Sequence, residues 1–332
     1  MTFSALIAGL SKLSDTGKPT LQVERVVVHP ILSLVLGLIC AGVGGELFVR
    51  GAIGVAHWAR IPAGIVGATV AAFATSSPEL AVSVSAALAG TPEIALGDAL
   101  GSNVVNIGLI LGIALLFGTL RGEANVLRND LRIALAAPLL TGVIILDGNF
   151  SRIDAAILFA VFLFWLARTI QAARQARSAA VETLGETRRG RALLECAVGL
   201  TFLILAGNLI VEGAKFIGDH LGWSPFVVGA TLVAIGTSMP ELATTVISRI
   251  RGHDEVGLGT VLGSNIFNNL FIVSVAGLIT PFALQPQSVR IGLAAGIATL
   301  LLVWPNRQGE VPRGRSGLLL VGYGVYVVLL VI

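Results

Sequence analysis

GATVAAFATSSPELA at residues 67–81 and GATLVAIGTSMPELA at residues 229–243 are two copies of one segment, set 162 residues apart. The same offset superimposes GDALGSNVVN at 97–106 on GTVLGSNIFN at 259–268, and Gly51-Ala52 on Gly213-Ala214. Two blocks held at one spacing, T-S-x-P-E followed by G-S-N-x-x-N, mark an internal duplication that chance would seldom produce in so apolar a background.

That background sets the class. Of the 332 residues, 55% are hydrophobic, 40 are Gly, and Asp, Glu, Lys and Arg together make up 12%, where a soluble domain averages about 25%. A water-facing globule of this composition would expose apolar surface over most of its area and aggregate. Apolar stretches recur near 31–54, 62–89, 95–118, 130–147, 152–170, 192–215, 224–249, 256–279, 288–304 and 315–332, each able to cross about 30 Å of hydrocarbon as a helix. The sequence therefore predicts an all-α membrane protein of ten transmembrane helices. The basic residues test that count, because Lys and Arg accumulate in cytoplasmic loops. With QAARQARSAAVETLGETRRGR at 171–191 inside, the inner loops and their edges hold 15 of the 22 Lys and Arg residues, the outer segments hold Lys12, Lys18, Arg25, Arg152, Lys215 and Arg290, and Arg50 lies towards the inner end of the first span. Both termini are then outside. Trp58, Trp165, Trp223 and Trp304 fall at span ends, as interfacial anchors do.

The 171–191 linker divides the chain into halves of five helices, 29–170 and 192–332, behind an N-terminal extension, 1–28, that lacks the basic start and cleavage site of a signal peptide. Five is odd, so the second half enters the membrane in the opposite sense and the repeat is inverted. Inverted repeats build many secondary transporters, with the substrate near the bilayer midplane where the halves meet.

The repeated residues specify what that substrate is. Glu79 and Glu241 lie within long apolar segments, where an ionisable group costs roughly 2.5–3.5 kcal/mol on the lenient insertion scale. Neither the motif helices nor the G-S-N helices offer an internal Lys or Arg to neutralise them, so a bound cation is the expected partner. Thr75 and Glu79, Thr237 and Glu241, Ser102 and Asn106, and Ser264 and Asn268 are i, i+4 pairs, each placing hard oxygens on one helix face. Pro78 and Pro240 donate no backbone hydrogen bond and release the carbonyls of Ala74 and Gly236. This donor set suits Na⁺ or Ca²⁺. Zinc or copper would call for Cys or His, yet His29, His57, His220 and His253 fall near span ends or in loops, and Cys40 and Cys196 sit in apolar runs as small hydrophobes.

Other polar residues have structural readings. Ser and Thr in membrane helices often bond the preceding turn, and Gly101 or Gly263 can simply let helices approach. Glu46 has Arg50 one turn later and is read as an internal ion pair with a structural or gating role. Asp98, opposite Thr260 in the repeat, is placed near the outer end of its helix within reach of water, and is not expected to be a ligand.

The ATSSPEL and GTSMPEL motifs, each followed by GSNxxN, resemble the two alpha-repeats of the calcium:cation antiporter superfamily, in particular its prokaryotic sodium/calcium exchanger branch, over about residues 31–332. The resemblance implies ten helices in two inverted halves around four clustered cation sites. Glu79 and Glu241 would be central ligands shared by Ca²⁺ and Na⁺, with Thr75 and Thr237 beside them around Ca²⁺. Ser76, Ser102, Ser238 and Ser264 would line flanking Na⁺ sites with the carbonyls of Ala72 and Ala234, and Asn106 and Asn268 would complete the middle. The helices starting near residues 31 and 192 would slide across the core to alternate access. Many sodium/calcium exchangers carry Asp in place of Asn268, and potassium-dependent relatives carry Asp at both Asn positions, so K⁺ dependence is not expected here.

The expected function is secondary antiport, Ca²⁺ exchanged for Na⁺ across the cytoplasmic (inner) membrane, with H⁺ as the alternative coupling ion. No cofactor, nucleic acid or obligate protein partner is expected: the basic residues are spread over short loops rather than clustered, and no G-x-x-x-x-G-K-[ST] phosphate loop is present. Intramembrane hydrolysis needs a base beside its serine, and the motif helices hold no His or Lys. The topology is checked by a Ser178→Cys variant. On intact cells it should resist a membrane-impermeant maleimide and react only after permeabilisation, whereas labelling from outside would reverse the orientation.

Overall fold

The computed structural model describes residues 30–58, 75–175, 189–250, 252, 254–284 and 286–332. Helices dominate, and proline and glycine punctuate them. α1 (Pro30–Trp58), α2 (Ser77–Leu88), α3 (Pro92–Leu116), α4 (Ala124–Ile144), α5 (Arg152–Gln175) and α6 (Arg189–Leu221) form the first part of the described chain. They are followed by α7 (Pro225–Thr237), α8 (Met239–Ile250), α9 (254–279), α10 (Pro286–Leu302) and α11 (Ser316–Val331). Pro30, Pro92, Pro225 and Pro286 each open a helix, where the missing N–H costs nothing. Gly90 (φ 72°) and Gly222 (φ 67°) supply the left-handed turns that let α2 and α6 end before the next proline.

Seven of the described helices are long and apolar enough to cross a membrane, and α7 with α8 makes an eighth if that pair, bent by 43°, counts as one span. The expected ten are not all reached. α10 is apolar but has 17 residues, α2 accounts for only the end of the 62–89 stretch, and the rest of that stretch, like residues 1–29, lies outside the described residues. α5 runs on to Gln175 and α6 begins at Arg189, with residues 176–188 outside the described residues.

α1 and α6 pack antiparallel along their length. A side chain on Gly37 would meet Ile210, on Gly44 Phe202 and Leu203, and on Gly51 Ala192 and Cys196; Gly199 in turn abuts the backbone of Phe48. The glycine stripe recurs every seven residues, so two backbones touch where β-carbons would hold them apart. Gly45 of this pair lies against Ser77 and Pro78, and Gly236 of α7 lies against Leu38, so α1 reaches both repeated motifs. α3 and α7 make a second close crossing, in which Gly97 and Gly101 abut Phe226 and Ala230, and Gly229 abuts the carbonyl of Ile94.

Among the described residues three helices carry π-helical turns, at Val105–Leu111 in α3, Gly229–Val233 in α7 and Asn268–Ile272 in α9. Such turns mark functional sites more often than plain packing. Two short strand pairs tie the periphery: β1 (Leu120–Arg121) with β4 (Glu310–Val311), and β2 (Asn149–Phe150) with β3 (Phe282–Ala283). The core runs along α3 and α9 through Val104, Val105, Ile107, Ile266 and Leu270. By contrast α5 and α11 present Ile153, Phe164, Leu318 and Val321 outward, as lipid-facing helices do.

The glycine contacts set the tolerance to substitution. Gly199→Val forces its side chain into the Phe48 backbone and should cost about 1–3 kcal/mol, a drop of several degrees in the thermal midpoint of detergent-purified protein. Gly296→Ala, with open space around its β-carbon, should leave the midpoint unchanged or raised.

Candidate cation site

The two repeated motifs converge from opposite halves of the chain. Ser77 and Pro78 open α2 directly after the turn at Ser76, and in the second half the chain breaks at Ser238 before α8 resumes at Met239. Both breaks place a glutamate in the first turn of the new helix, where N–H groups are free of intrahelical partners and carboxylates are favoured. Glu79 and Glu241 are both fully buried.

Hydroxyls from the other half meet each carboxylate. Ser238 donates to Glu79 Oε1 at 3.5 Å and Thr237 also faces that carboxyl. Thr75, from the first half, faces the Glu241 carboxyl, and its Oγ1 lies 3.1 Å from the Oγ of Ser264, which belongs to the same half as Glu241 and donates to its Oε1 at 3.0 Å. The amides join behind them, Asn106 Nδ2 donating to Asn265 Oδ1 at 3.0 Å and Asn265 Nδ2 to the carbonyl of Asn103 at 3.1 Å. Asn106 belongs to one π turn and Asn268 opens another, and the wider turn aims the amide inward without ending the helix.

Of the twelve expected site residues, eleven are described, and Ala72 lies outside the described residues, as does the released carbonyl expected at Ala74. Glu79, Thr237, Ser238 and Ser102 are brought together by the contacts above and the Asp98 bonds below, Glu241, Ser264 and Thr75 form a second set, and Asn106 bonds Asn265 behind them. Ser76, Asn268 and Ala234 are buried within the same three segments. The carbonyl of Gly236 is not wholly freed by Pro240, because the Ser238 N–H turns back to the carbonyls of Ala234 and Gly236. Glu46 and Arg50 form the expected ion pair at 2.6 Å, but on an exposed face of α1 rather than inside.

Asp98 corrects the sequence reading. It is fully buried, not water-exposed, because the Gly97 and Gly101 crossing lays α7 over this part of α3. Its Oδ1 accepts from Thr237 at 3.1 Å and from Ser102 at 3.4 Å, and all three carboxylates are near enough to repel one another. Ser83 and Thr245 were also missed. They are a repeat pair at the 162 offset, one turn beyond Glu79 and Glu241, and both are buried with hydroxyls lacking a partner among the described residues. Asn103 and Asn265, the middle residues of G-S-N-x-x-N, were readable from the same offset.

The unpartnered atoms define the chemistry. Ser76 Oγ, Glu79 Oε2, Asp98 Oδ2, Glu241 Oε2, Asn106 Oδ1 and both polar atoms of Asn268 are buried with no hydrogen-bond partner among the described residues. Each such group costs about 1–3 kcal/mol, more when charged, and almost all are oxygens. Among the described residues none of the three carboxylates is paired with Lys or Arg, and no three Asp, Glu, His or Cys side chains gather around one metal-sized point. A cation held here would draw on neutral oxygens beside the carboxylates, the donor set of Na⁺ or Ca²⁺.

Comparison with known proteins agrees with this chemistry. The sequence matches the model of the sodium/calcium exchanger protein family over residues 29–171 and 192–332. It is 33% identical over 310 residues to the inner membrane protein YrbG of Escherichia coli (strain K12), covering 90% of this chain and 95% of that one. It is 29% identical over 341 residues to the sodium/calcium exchanger MaX1 of Methanosarcina acetivorans, covering 90% and 97%. Its fold is similar to the solved structure of the sodium-calcium exchanger NCX_Mj soaked with Na⁺ and Sr²⁺, at a TM-score of 0.63 and 29% identity over 90% of this chain and 99% of that one.

The uncompensated carboxylates make a thermal test. In cation-free buffer Glu79→Gln should melt no lower than wild type, since it removes a buried like charge. Ca²⁺ at about a hundred times its dissociation constant should stabilise wild type by about 2.7 kcal/mol and leave the variant's midpoint unmoved. Equal Ca²⁺ stabilisation of both proteins would remove Glu79 from the site.

Proposed function

Because the chain belongs to the sodium/calcium exchanger protein family, a family of membrane antiporters, we propose that it exports Ca²⁺ in exchange for Na⁺ by alternating access through the Glu79 and Glu241 cluster. The observation that carries this reading is the reciprocal pairing of the motifs, in which each glutamate meets a hydroxyl of the opposite half: Ser238 at Glu79, Thr75 at Glu241. Glu79, Glu241, Thr75 and Thr237 serve the divalent ion. Ser76, Ser238, Ser102 and Ser264, with the carbonyls of Ala72 and Ala234, serve Na⁺, and Asn106 and Asn268 complete the cluster.

Exchange follows from shared ligands. Loaded with cations, the buried carboxylates are neutralised and the core can pass between its two accessible states; bare, their mutual repulsion and desolvation oppose closure. Only loaded forms cross, which couples Ca²⁺ leaving to Na⁺ entering. The α1–α6 pair is the moving element. It is joined to itself through glycine backbones and touches the motifs at Leu38 and Gly45, so a slide of the pair uncovers one side of the cluster and covers the other.

A ten-helix chain in two inverted halves, 29–170 and 192–332, underlies this mechanism. Its supports are the antiparallel packing of α1 against α6, which are repeat equivalents, and the strand pairs. At the 162 offset β1 corresponds to β3 and β2 falls within one residue of β4, so β1 with β4 and β2 with β3 are one pairing seen twice, shifted by one residue. A two-fold relation between the halves produces that exchange. Ten spans also put both members of each pair on the same membrane face, with linker 171–191 cytoplasmic and the termini outside.

The test is uptake of radiolabelled Ca²⁺ into Na⁺-loaded proteoliposomes diluted into Na⁺-free buffer at matched pH. Uptake should require the outward Na⁺ gradient and disappear in Glu79→Gln. Uptake indifferent to Na⁺ but driven by a pH gradient would make H⁺ the coupling ion, and ionic currents through single open channels would contradict antiport altogether.

A further inference from the structure

The two halves differ at one corner of the cluster. The residue one turn before Ser102 is Asp98, whereas the residue one turn before Ser264 is Thr260. Asp98 Oδ1 receives the Thr237 and Ser102 hydroxyls, while Oδ2 is buried with no partner among the described residues. If Asp98 only accepted these two hydrogen bonds, a neutral acceptor would serve without adding a third carboxylate near Glu79 and Glu241, at a cost of several kcal/mol for a buried ion lacking a counter-charge. The hydroxyls that donate to Asp98 keep lone pairs free on their oxygens. Asp98 Oδ2, Ser102 Oγ and Thr237 Oγ1 together offer one anionic and two neutral oxygens around the same carboxyl.

We propose that Asp98 is a third carboxylate ligand of the transported cations, holding a monovalent cation at the Ser102 corner beside the divalent position; the inference rests on the exchanger reading above. Two glutamates neutralise one Ca²⁺ or two Na⁺. With Asp98 the cluster is balanced by a divalent plus a monovalent cation, or by three monovalent cations, so Asp98 raises by one the positive charge the cluster holds at balance. It also supplies in the first half the acidic group that neither Asn106 nor Asn268 provides.

Asp98→Asn keeps the shape and the acceptor oxygen but removes the charge, and Asp98→Thr installs the residue type of the opposite corner. In proteoliposomes both variants should need at least about tenfold more Na⁺ for half-maximal exchange and should lower the Hill coefficient for Na⁺ by about one. Ca²⁺-induced thermal stabilisation should persist, which also certifies the fold. An unchanged Na⁺ dependence in Asp98→Asn would reduce Asp98 to a hydrogen-bond acceptor and overturn the proposal. Anomalous scattering from wild-type crystals soaked with Tl⁺ decides the matter without a variant: a peak within coordination distance of Asp98 Oδ2 is expected, and peaks at Glu79 and Glu241 alone would overturn it. Wild-type Ca²⁺ transport indifferent to Na⁺ would instead remove the exchanger reading itself.

Discussion

Buried negative charge without a protein counter-charge is the constraint on which this molecule turns. Glu79, Glu241 and Asp98 are fully buried and mutually repulsive, and none is ion-paired to Lys or Arg among the described residues. Elsewhere the chain pairs its charges in the ordinary way, as with Arg249 and Asp254 at 3.0 Å or Arg121 and Glu310 at 3.2 Å. Leaving the central three unpaired costs stability in every state that lacks cargo. On the exchange reading proposed here, that cost makes the cargo part of the fold's energetics and keeps the bare protein from crossing.

The surrounding architecture positions these groups while still permitting motion. Glycines at the α3–α7 crossing bring Asp98 to Thr237, and π turns rotate Asn106 and Asn268 inward without breaking their helices. The α1–α6 pair is smooth by comparison. Its contacts set glycines against backbone and the roots of side chains, and its outer faces carry Ile39, Val43, Ile204 and Leu205 towards lipid. In the mechanism proposed here, helices joined in this way shift as one body over the core.

Much of this was legible in the sequence, and the reason is the repeat. The 162 offset singled out Glu79 with Glu241, Thr75 with Thr237 and Ser102 with Ser264 before any fold was known, and helical spacing placed their oxygens together. The helical membrane class followed from composition. What the repeat could not reveal is asymmetry. Asp98 has no acidic counterpart at position 260, so its burial was invisible until α7 was seen lying across Gly97 and Gly101. The ten spans blurred for a similar local reason: the second motif's span is divided at Ser238, just before Pro240, and α10, as long as its apolar stretch, has only 17 residues. Ser83 and Thr245 were present in the repeat but looked like ordinary hydroxyls of a helix turn, because burial cannot be read from residue type alone.

The most direct test of cargo as counter-charge is equilibrium binding of Ca²⁺ to the purified chain across a series of Na⁺ concentrations, with ionic strength and pH held constant by an organic cation. Shared carboxylates require the apparent dissociation constant for Ca²⁺ to rise with Na⁺ more steeply than the first power, since more than one Na⁺ replaces each Ca²⁺. A dissociation constant independent of Na⁺ would mean that the two ions do not meet at these carboxylates, and the coupling derived from them would fall.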